Sequence, residues 1–486
     1  MWKSFVLLTI LSALAVDATD KVVCYHGSWS HYRPGDGKYS VTDIDPFLCT
    51  HIIYGFVGIN WDGSIRIMDS WLEIDLAALA NFNGLKARNP SLKTLVAIGG
   101  WNEGSTTFSA VASSASLRTA FVNNAASFLQ KHGFDGFDLD WEYPAQRGGA
   151  ATDKNNFSLM LAEFRTLFDQ RGYLITAAVA AAGGSVDLSY DVPKLNQYLH
   201  FINVMTYDLH GTWDAAIGHN APLYPSAVDV TVAQKQLTVD ACIRGWISRG
   251  ASPSKLILGV GTYGRGFTVA NACSNKLGAS HSGGCTAGPY TREAGILGYN
   301  EICEKLLAGG WTVTWDNLQQ VPYMCNGNQW IGYDNPESIA IKTNYAKSMG
   351  LGGVMVWSLE TDDFKGKCGQ VNPLLNTIRT TLSLPITDGG SSGGSTGGDT
   401  GGSTGGNTEG SSDTTTTTTT TPAPVVVPPG SICTKEGYVR DATNCGIFYR
   451  CVLSGGSYIQ HSLVCPFGLY FDTTVDVCNY PSLVAC

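Results

Sequence analysis

"GFDGFDLDWEYP", residues 133–144, threads Asp135, Asp138, Asp140 and Glu142 through a run of Phe, Leu and Trp. A buried carboxylate without a partner is costly, so four acids in one apolar run need a common purpose. In a β-strand successive side chains point to opposite faces. Gly136, Asp138, Asp140 and Glu142 then share one face, and Phe137, Leu139 and Trp141 take the other. Asp135 falls on the opposite face at the start of the strand, which predicts a structural role for it.

The stretches around it set this strand in a repeating pattern. Apolar, β-rich runs recur at 21–27, 51–59, 92–101, 134–142, 174–181, 201–208, 255–264 and 352–360. Segments such as "SASLRTAFVNNAASFLQKHG" and "NFSLMLAEFRTLFDQRG" lie between them, with helical apolar spacing and a terminal Gly. Strands alternating with helices predict an α/β fold, here a parallel (β/α)8 TIM barrel. The pattern alone leaves a doubly wound open sheet as the alternative. The gap before the last strand is longer than one helix needs and contains "GWTVTWD" and "QWIGYD", which predicts a small α+β insertion at about 266–337.

Inside a barrel the apolar face of 136–142 packs against helices, and the acids climb inward toward the C-terminal rim, where barrels of this kind keep their active sites. Side chains two apart along a strand are spaced by about 6.5–7 Å. Asp140 can therefore lean toward Asp138 or toward Glu142. Three such carboxylates cannot all ionise cheaply, so they should share protons, and Glu142 at the mouth becomes a general acid of raised pKa. A calcium loop would place its acids in a polar turn, whereas the residues between these acids are apolar.

The chain has 486 residues, a net charge of −9 and no basic stripe, which argues against a nucleic-acid partner. "MWKSFVLLTILSALAVDATD" has a cationic start, a short apolar run and small residues, and it predicts a signal peptide over 1–18 and a secreted, extracellular product. The 14 cysteines suit that compartment, with eight between Cys24 and Cys368 and six between Cys433 and Cys486. Residues 386–430 are rich in Gly, Ser, Thr and Pro and predict a linker between a catalytic body at 19–385 and a small disulfide-stapled module with β-strands at 431–486. "NFS" offers Asn156 as an N-glycosylation acceptor. His210 and His219 have no ligand partners at metal spacing, and neither metal nor cofactor is expected.

The acidic run resembles the D-x-x-D-x-D-x-E signature of family 18 glycoside hydrolases, the chitinases and their relatives. The similarity extends over about Lys21–Leu384. "AIGGW" (97–101), "MTYDLHG" (205–211), "YGRGF" (263–267) and "MVWSLE" (355–360) look like further motifs of that family. "YRPG", "LCTHIIYGF" and "GPYTREAGILGYNEIC" are similar to the branch of secreted animal chitinases with the inserted α+β domain.

The resemblance implies an endo-acting chitinase that cleaves β-1,4-linked N-acetylglucosamine with retention, the substrate's own acetamido group serving as nucleophile. It implies Glu142 as acid and base, Asp140 and Asp138 as its carboxylate partners, and Tyr207 on the acetamido oxygen. Tyr25, Phe56, Trp101, Met205, Asp208, Tyr263, Arg265 and Trp357 match cleft positions. Trp29 and Trp213 look like outer platforms for sugar faces, and Glu293 is a candidate reaching the cleft from the insertion. Cys24–Cys49 and Cys303–Cys368 match the family's pairs. Cys273 and Cys285 flank a Gly/Ser-rich loop as a candidate pair, which leaves Cys242 and Cys325 unassigned. Six cysteines in the small module allow about fifteen connectivities. Their spacing resembles the peritrophin-A type chitin-binding domain, which implies Cys433–Cys451, Cys445–Cys486 and Cys465–Cys478. The implied partners are chitin and chitooligosaccharides, bound by a monomer. A chitin-binding lectin, a matrix protein of a chitinous lining, and an endo-β-N-acetylglucosaminidase acting on N-glycans are the rival readings.

Overall fold

The structure is a computed structural model that describes residues 20–384 except 275 and 276. In the C-terminal module it describes residues 433, 437–441, 444–454, 457–464, 470–473, 477–479 and 484. The expected signal peptide and linker lie outside the described residues.

Seven parallel strands come first: β1 (Lys21–Gly27), β2 (His51–Ile59), β3 (Lys93–Gly99), β4 (Gly136–Asp140), β5 (Leu174–Ala180), β6 (Phe201–Met205) and β7 (Leu256–Gly261). An antiparallel set follows: β8 (Tyr263–Thr268), β9 (Ile296–Gly298), β10 (Thr312–Asp316), β11 (Val321–Asn326) and β12 (Gln329–Gly332). The eighth parallel strand is β13 (Gly353–Trp357). It pairs with both β7 and β1, and β1 pairs with β2, so the parallel sheet closes on itself as a barrel. Closure excludes the doubly wound alternative.

The quoted stretch begins where a helix stops. Helix Ala115–His132 is capped at its start by Ser114, whose side chain accepts from the Leu117 N–H. It ends at Gly133, whose φ of 80° lets its N–H turn back to the Leu129 carbonyl. The chain then enters β4 with Asp138 and Asp140 inward. On the outer face Trp141 stacks on Phe108, and Phe137 stacks on Phe164 of helix Asp153–Arg171. Register aligns Asp138 with Ala97 on one side and Thr176 on the other, and Asp140 with Gly99. A Cβ at Gly99 would lie 2.2 Å from the Asp140 carbonyl oxygen, so only glycine fits there.

The insertion is a five-stranded antiparallel sheet, ordered β9-β8-β12-β11-β10, with helix Tyr299–Leu307 against it. The run read as one strand at 255–264 is two. The chain leaves the barrel at Thr262, whose hydroxyl donates to the Ser358 carbonyl at 2.7 Å, and Tyr263 starts the antiparallel pairing with Gly298. His219, fully buried, lies 3.0 Å from the Pro322 carbonyl and 3.1 Å from that of Tyr333, tying barrel to insertion.

Cys24–Cys49 and Cys303–Cys368 are disulfides as expected. Cys273 pairs with Cys325 and not with Cys285, which corrects the expected Cys273–Cys285 pair. Val269 N–H bonds the Asn328 carbonyl and Ala272 N–H that of Gly327, laying the loop after β8 along the end of β11. Cys285 faces the other layer, with Leu297, Ile302 and Met324, and remains a buried thiol, as does Cys242.

The C-terminal module is a separate unit. β14 (Gly437–Arg440), β15 (Ile447–Ser454) and β16 (Ser457–Val464) form an antiparallel sheet, and β17 (Tyr470–Asp472) pairs with β18 (Val477–Asn479). Cys433–Cys451 is a disulfide as expected. Cys445 is also disulfide-bonded, but its expected partner Cys486 lies outside the described residues. For Cys465–Cys478, residue 465 lies outside them and the side chain of 478 is not described.

Candidate active site

Asp138 sits at the bottom of the acidic file and is fully buried. Three donors converge on it: the Tyr25 hydroxyl at 2.7 Å, the Thr176 hydroxyl, and Asn203 Nδ2 at 3.3 Å. Burial pushes its pKa up to about 6 against these donors, which favour the anion. Asp140 stands one step higher and is 3% exposed. Its Oδ1 has no hydrogen-bond partner among the described residues. Burial first, then the charges of Glu142 and Asp138, raise the Asp140 pKa well above the carboxylate range. Glu142 lies just past the end of β4 and is half-buried. Burial lifts it to about 7, with Tyr143 and Arg147 pulling down and Asp208 pushing up. The three carboxyls thus run from a solvated-by-protein anion, through an unpartnered acid, to one poised near neutrality at the mouth. A carboxyl near neutrality at the mouth can give up a proton and later take one back.

Tyr207 follows β6 and is buried, its hydroxyl 3.6 Å from Met355 Sδ. Asp208 adopts φ 54° and is exposed. It accepts from the Tyr263 hydroxyl at 2.6 Å and from Arg265 Nε at 2.8 Å. Trp357, half-buried at the end of β13, gathers three expected aromatics around it. Ring centroids of Tyr25, Phe56 and Trp29 lie 5.4, 5.8 and 6.1 Å from its own. Met205 is half-buried at the end of β6. Gly55–Phe56, Glu142–Tyr143 and Trp357–Ser358 are cis peptides.

A cavity of about 320 Å3 opens between barrel rim and insertion, with Trp29, Arg33, Asp208, Arg265, Glu293 and Trp357 in its wall. Glu293 thus reaches this wall from the insertion. Trp101 is 59% exposed and Trp213 58%, which suits platforms and not core. Tyr25 is 1% exposed, and its hydroxyl donates to Asp138 beneath Trp357.

The sequence reading missed several residues. Thr176 and Asn203 are lone polar residues on the inner face of the apolar runs "LITAAVA" and "FINVM", the signal that singled out the acids. Arg147 donates to the carbonyls of Trp101 and Glu142. Glu360 is fully buried, accepts from the Gly27 N–H and the Ser358 hydroxyl, and sits 3.8 Å from His26 Nδ1. Its position within "MVWSLE" gave no sign of that.

A family model for glycosyl hydrolases family 18 matches residues 21–362, and one for the chitin binding peritrophin-A domain matches residues 433–486. An endochitinase of Manduca sexta is 39% identical over 78% of this chain and 70% of its own. A Group IV chitinase of Ostrinia furnacalis has a crystal structure that aligns at a TM-score of 0.73 and 44% identity, covering 75% of this chain and 99% of that one. Human YKL-39, described as a pseudo-chitinase with retained chitooligosaccharide binding, aligns at a TM-score of 0.70 and 37% identity, covering 75% and 99%. With its closed barrel and inward file of acids, the chain is a member of glycosyl hydrolase family 18, with a peritrophin-A chitin-binding domain at its C-terminal end.

Proposed function

We propose that the protein is a secreted, endo-acting chitinase that hydrolyses β-1,4 bonds between N-acetylglucosamine units with retention. The observation that carries this reading is the inward file Asp138–Asp140–Glu142 on and just past one barrel strand, with Glu142, lifted by burial to about 7, at its open end. Glu142 gives its proton to the glycosidic oxygen as the bond to the anomeric carbon breaks. The acetamido oxygen of the same sugar closes on that carbon and forms an oxazolinium ion, an intramolecular step that avoids the entropic cost of a separate nucleophile. Asp140 turns from Asp138 toward the acetamido N–H and balances the positive charge. Tyr207 holds the acetamido oxygen, and Trp357 forms the floor beneath the distorted ring. Glu142, now a base, takes a proton from water as that water opens the oxazolinium from the face the leaving group left.

Trp29, Phe56, Trp101, Met205, Trp213 and Glu293 carry the flanking sugars. Asp208, held by Tyr263 and Arg265, contacts sugar hydroxyls. The expected signal peptide supports secretion, and Asn156, in the first turns of its helix, supports a glycan there. The C-terminal module holds the monomeric enzyme to chitin.

Glu142→Gln keeps the shape and removes the proton. Its kcat on soluble chitooligosaccharides should fall by about 10²–10⁴-fold with binding retained. Equal product release by both proteins would remove Glu142 as the acid, and a wild type that binds the oligosaccharides without releasing product would replace this reading with that of a non-catalytic binder, as YKL-39 is described. The first product seen by NMR should be the β-anomer; the α-anomer would overturn the substrate-assisted route.

A further inference from the structure

Arg147 stands in the loop after β4, and the reaction as proposed does not use it. Its guanidinium carbon lies 3.5 Å from the centroid of the Trp101 ring, in face contact. Its Nη1 donates to the Trp101 carbonyl at 2.8 Å and to the Glu142 carbonyl at 2.9 Å. One side chain therefore grips both an exposed aromatic platform and the backbone of the acid.

The loop is built to hold that grip. Ala145 and Arg147 both have left-handed backbones, with φ of 63° and 53°, which non-glycine residues keep only when the surroundings fix them. The carboxylate of Asp153, fully buried, accepts from the N–H groups of Ala145 at 3.3 Å and Ala150 at 2.8 Å and from the Ser109 hydroxyl at 2.8 Å. Gln146 Nε2 donates to Ser189 Oγ, which in turn donates to the Pro144 carbonyl.

We propose that Arg147 is a positioning residue: by covering one face of Trp101 and tying its backbone to that of Glu142, it holds a sugar on the other face in register with the acid. The proposal rests on the chitinase reading. A free indole 59% exposed would otherwise turn about its own side-chain bonds. Charge acts in the same direction. Burial raises Glu142 and the guanidinium opposes it. The other groups facing Glu142 are Asp140 on its strand, Tyr143 in its loop, Tyr190 beyond β5, and Tyr207 and Asp208 after β6. Arg147 is the cation among them.

Full-length wild type, Arg147→Ala, Arg147→Lys, Trp101→Ala and the Ala double variant are compared on soluble chitooligosaccharides across pH. Arg147→Ala should raise KM about three- to tenfold through the lost stacking and move the alkaline limb of kcat/KM upward, because removing a nearby cation favours protonated Glu142. Arg147→Lys should restore the limb and not KM, since an ammonium keeps the charge and loses the planar fork. In the Trp101→Ala background, Arg147→Ala should add little to KM. Wild-type KM in Arg147→Ala, or fully additive KM effects in the double variant, would overturn the proposal. A wild-type chain that cleaves no oligosaccharide would overturn the chitinase reading itself.

Discussion

Asp138, Asp140 and Glu142 carry the same functional group, and only their surroundings set their proton affinities apart. Donors from three other strands make Asp138 the place where negative charge is most easily kept. Asp140 has no such support and prefers its proton, and Glu142 takes an intermediate value because one side meets the cleft. Tyr25→Phe tests this division. It removes the hydroxyl that donates to Asp138 and accepts from Asn203 Nδ2 at 3.1 Å. A carboxylate that loses a donor is a weaker acid, so the Asp138 pKa should rise further above about 6. If the pair must give up one proton before turnover, the acidic limb of kcat should move up while the alkaline limb, set by Glu142 near 7, stays. A pH–rate profile of the variant with both limbs in place would separate Asp138 from the chemistry.

At the scale of elements, the strands were legible because two periods coincide on them: alternation along each strand, and a helix of regular spacing between each pair. The acids in β4 showed because polar residues on an inward face stand out against Phe, Leu and Trp. Thr176 and Asn203 follow the same rule but stand singly, and one polar residue in a strand has many uses. The loops were hard to read. Nothing in "AQRGG" announces that its Arg folds back on Trp101, since that contact depends on two left-handed residues and a buried Asp153. The disulfide error has the same origin: the pairing of Cys273 depends on which loop crosses β11, not on separation along the chain.

The loop after β2 carries a further consequence of burial. Glu73, in the turn Trp71–Asp75, is 1% exposed, and only the Met68 and Asp69 backbones approach its carboxyl, opposing burial without well-formed hydrogen bonds. Burial raises its pKa to about 7. A folded-state pKa above the unfolded value means that the proton stabilises the fold, and that this stability is lost as pH rises through about 7. Glu73→Gln removes the titration. Its unfolding free energy, compared with that of wild type by denaturant titration, should gain as pH goes from 5 to 8, by about 1–3 kcal/mol at the upper end. Parallel pH dependence in the two proteins would show that Glu73 meets solvent or a partner.

At the scale of the whole molecule, the barrel keeps the chemistry and the insertion raises one wall of the cleft. The six-cysteine module is too small to hold a large apolar core, and disulfides take its place. Its aromatic residues pack in part against each other: the Phe448 and Phe471 rings stack at 4.1 Å. Barrel and module are separate compact units. What a linker adds is effective concentration: a chain bound to insoluble chitin through the module presents its cleft to substrate at a local level that bulk solution does not reach. The advantage vanishes for a soluble oligosaccharide, which diffuses to the cleft by itself. Deleting residues 431–486 should therefore leave kcat/KM on chitooligosaccharides within about twofold of wild type, while adsorption to colloidal chitin and the rate on it fall together, the rate by about ten- to a hundredfold at low enzyme concentration. Sedimentation of the two proteins with chitin, beside their rates on both substrates, measures this. Undiminished adsorption of the truncated chain would move the anchoring surface onto the barrel, where the exposed rings of Trp101 and Trp213 are the first place to look for it.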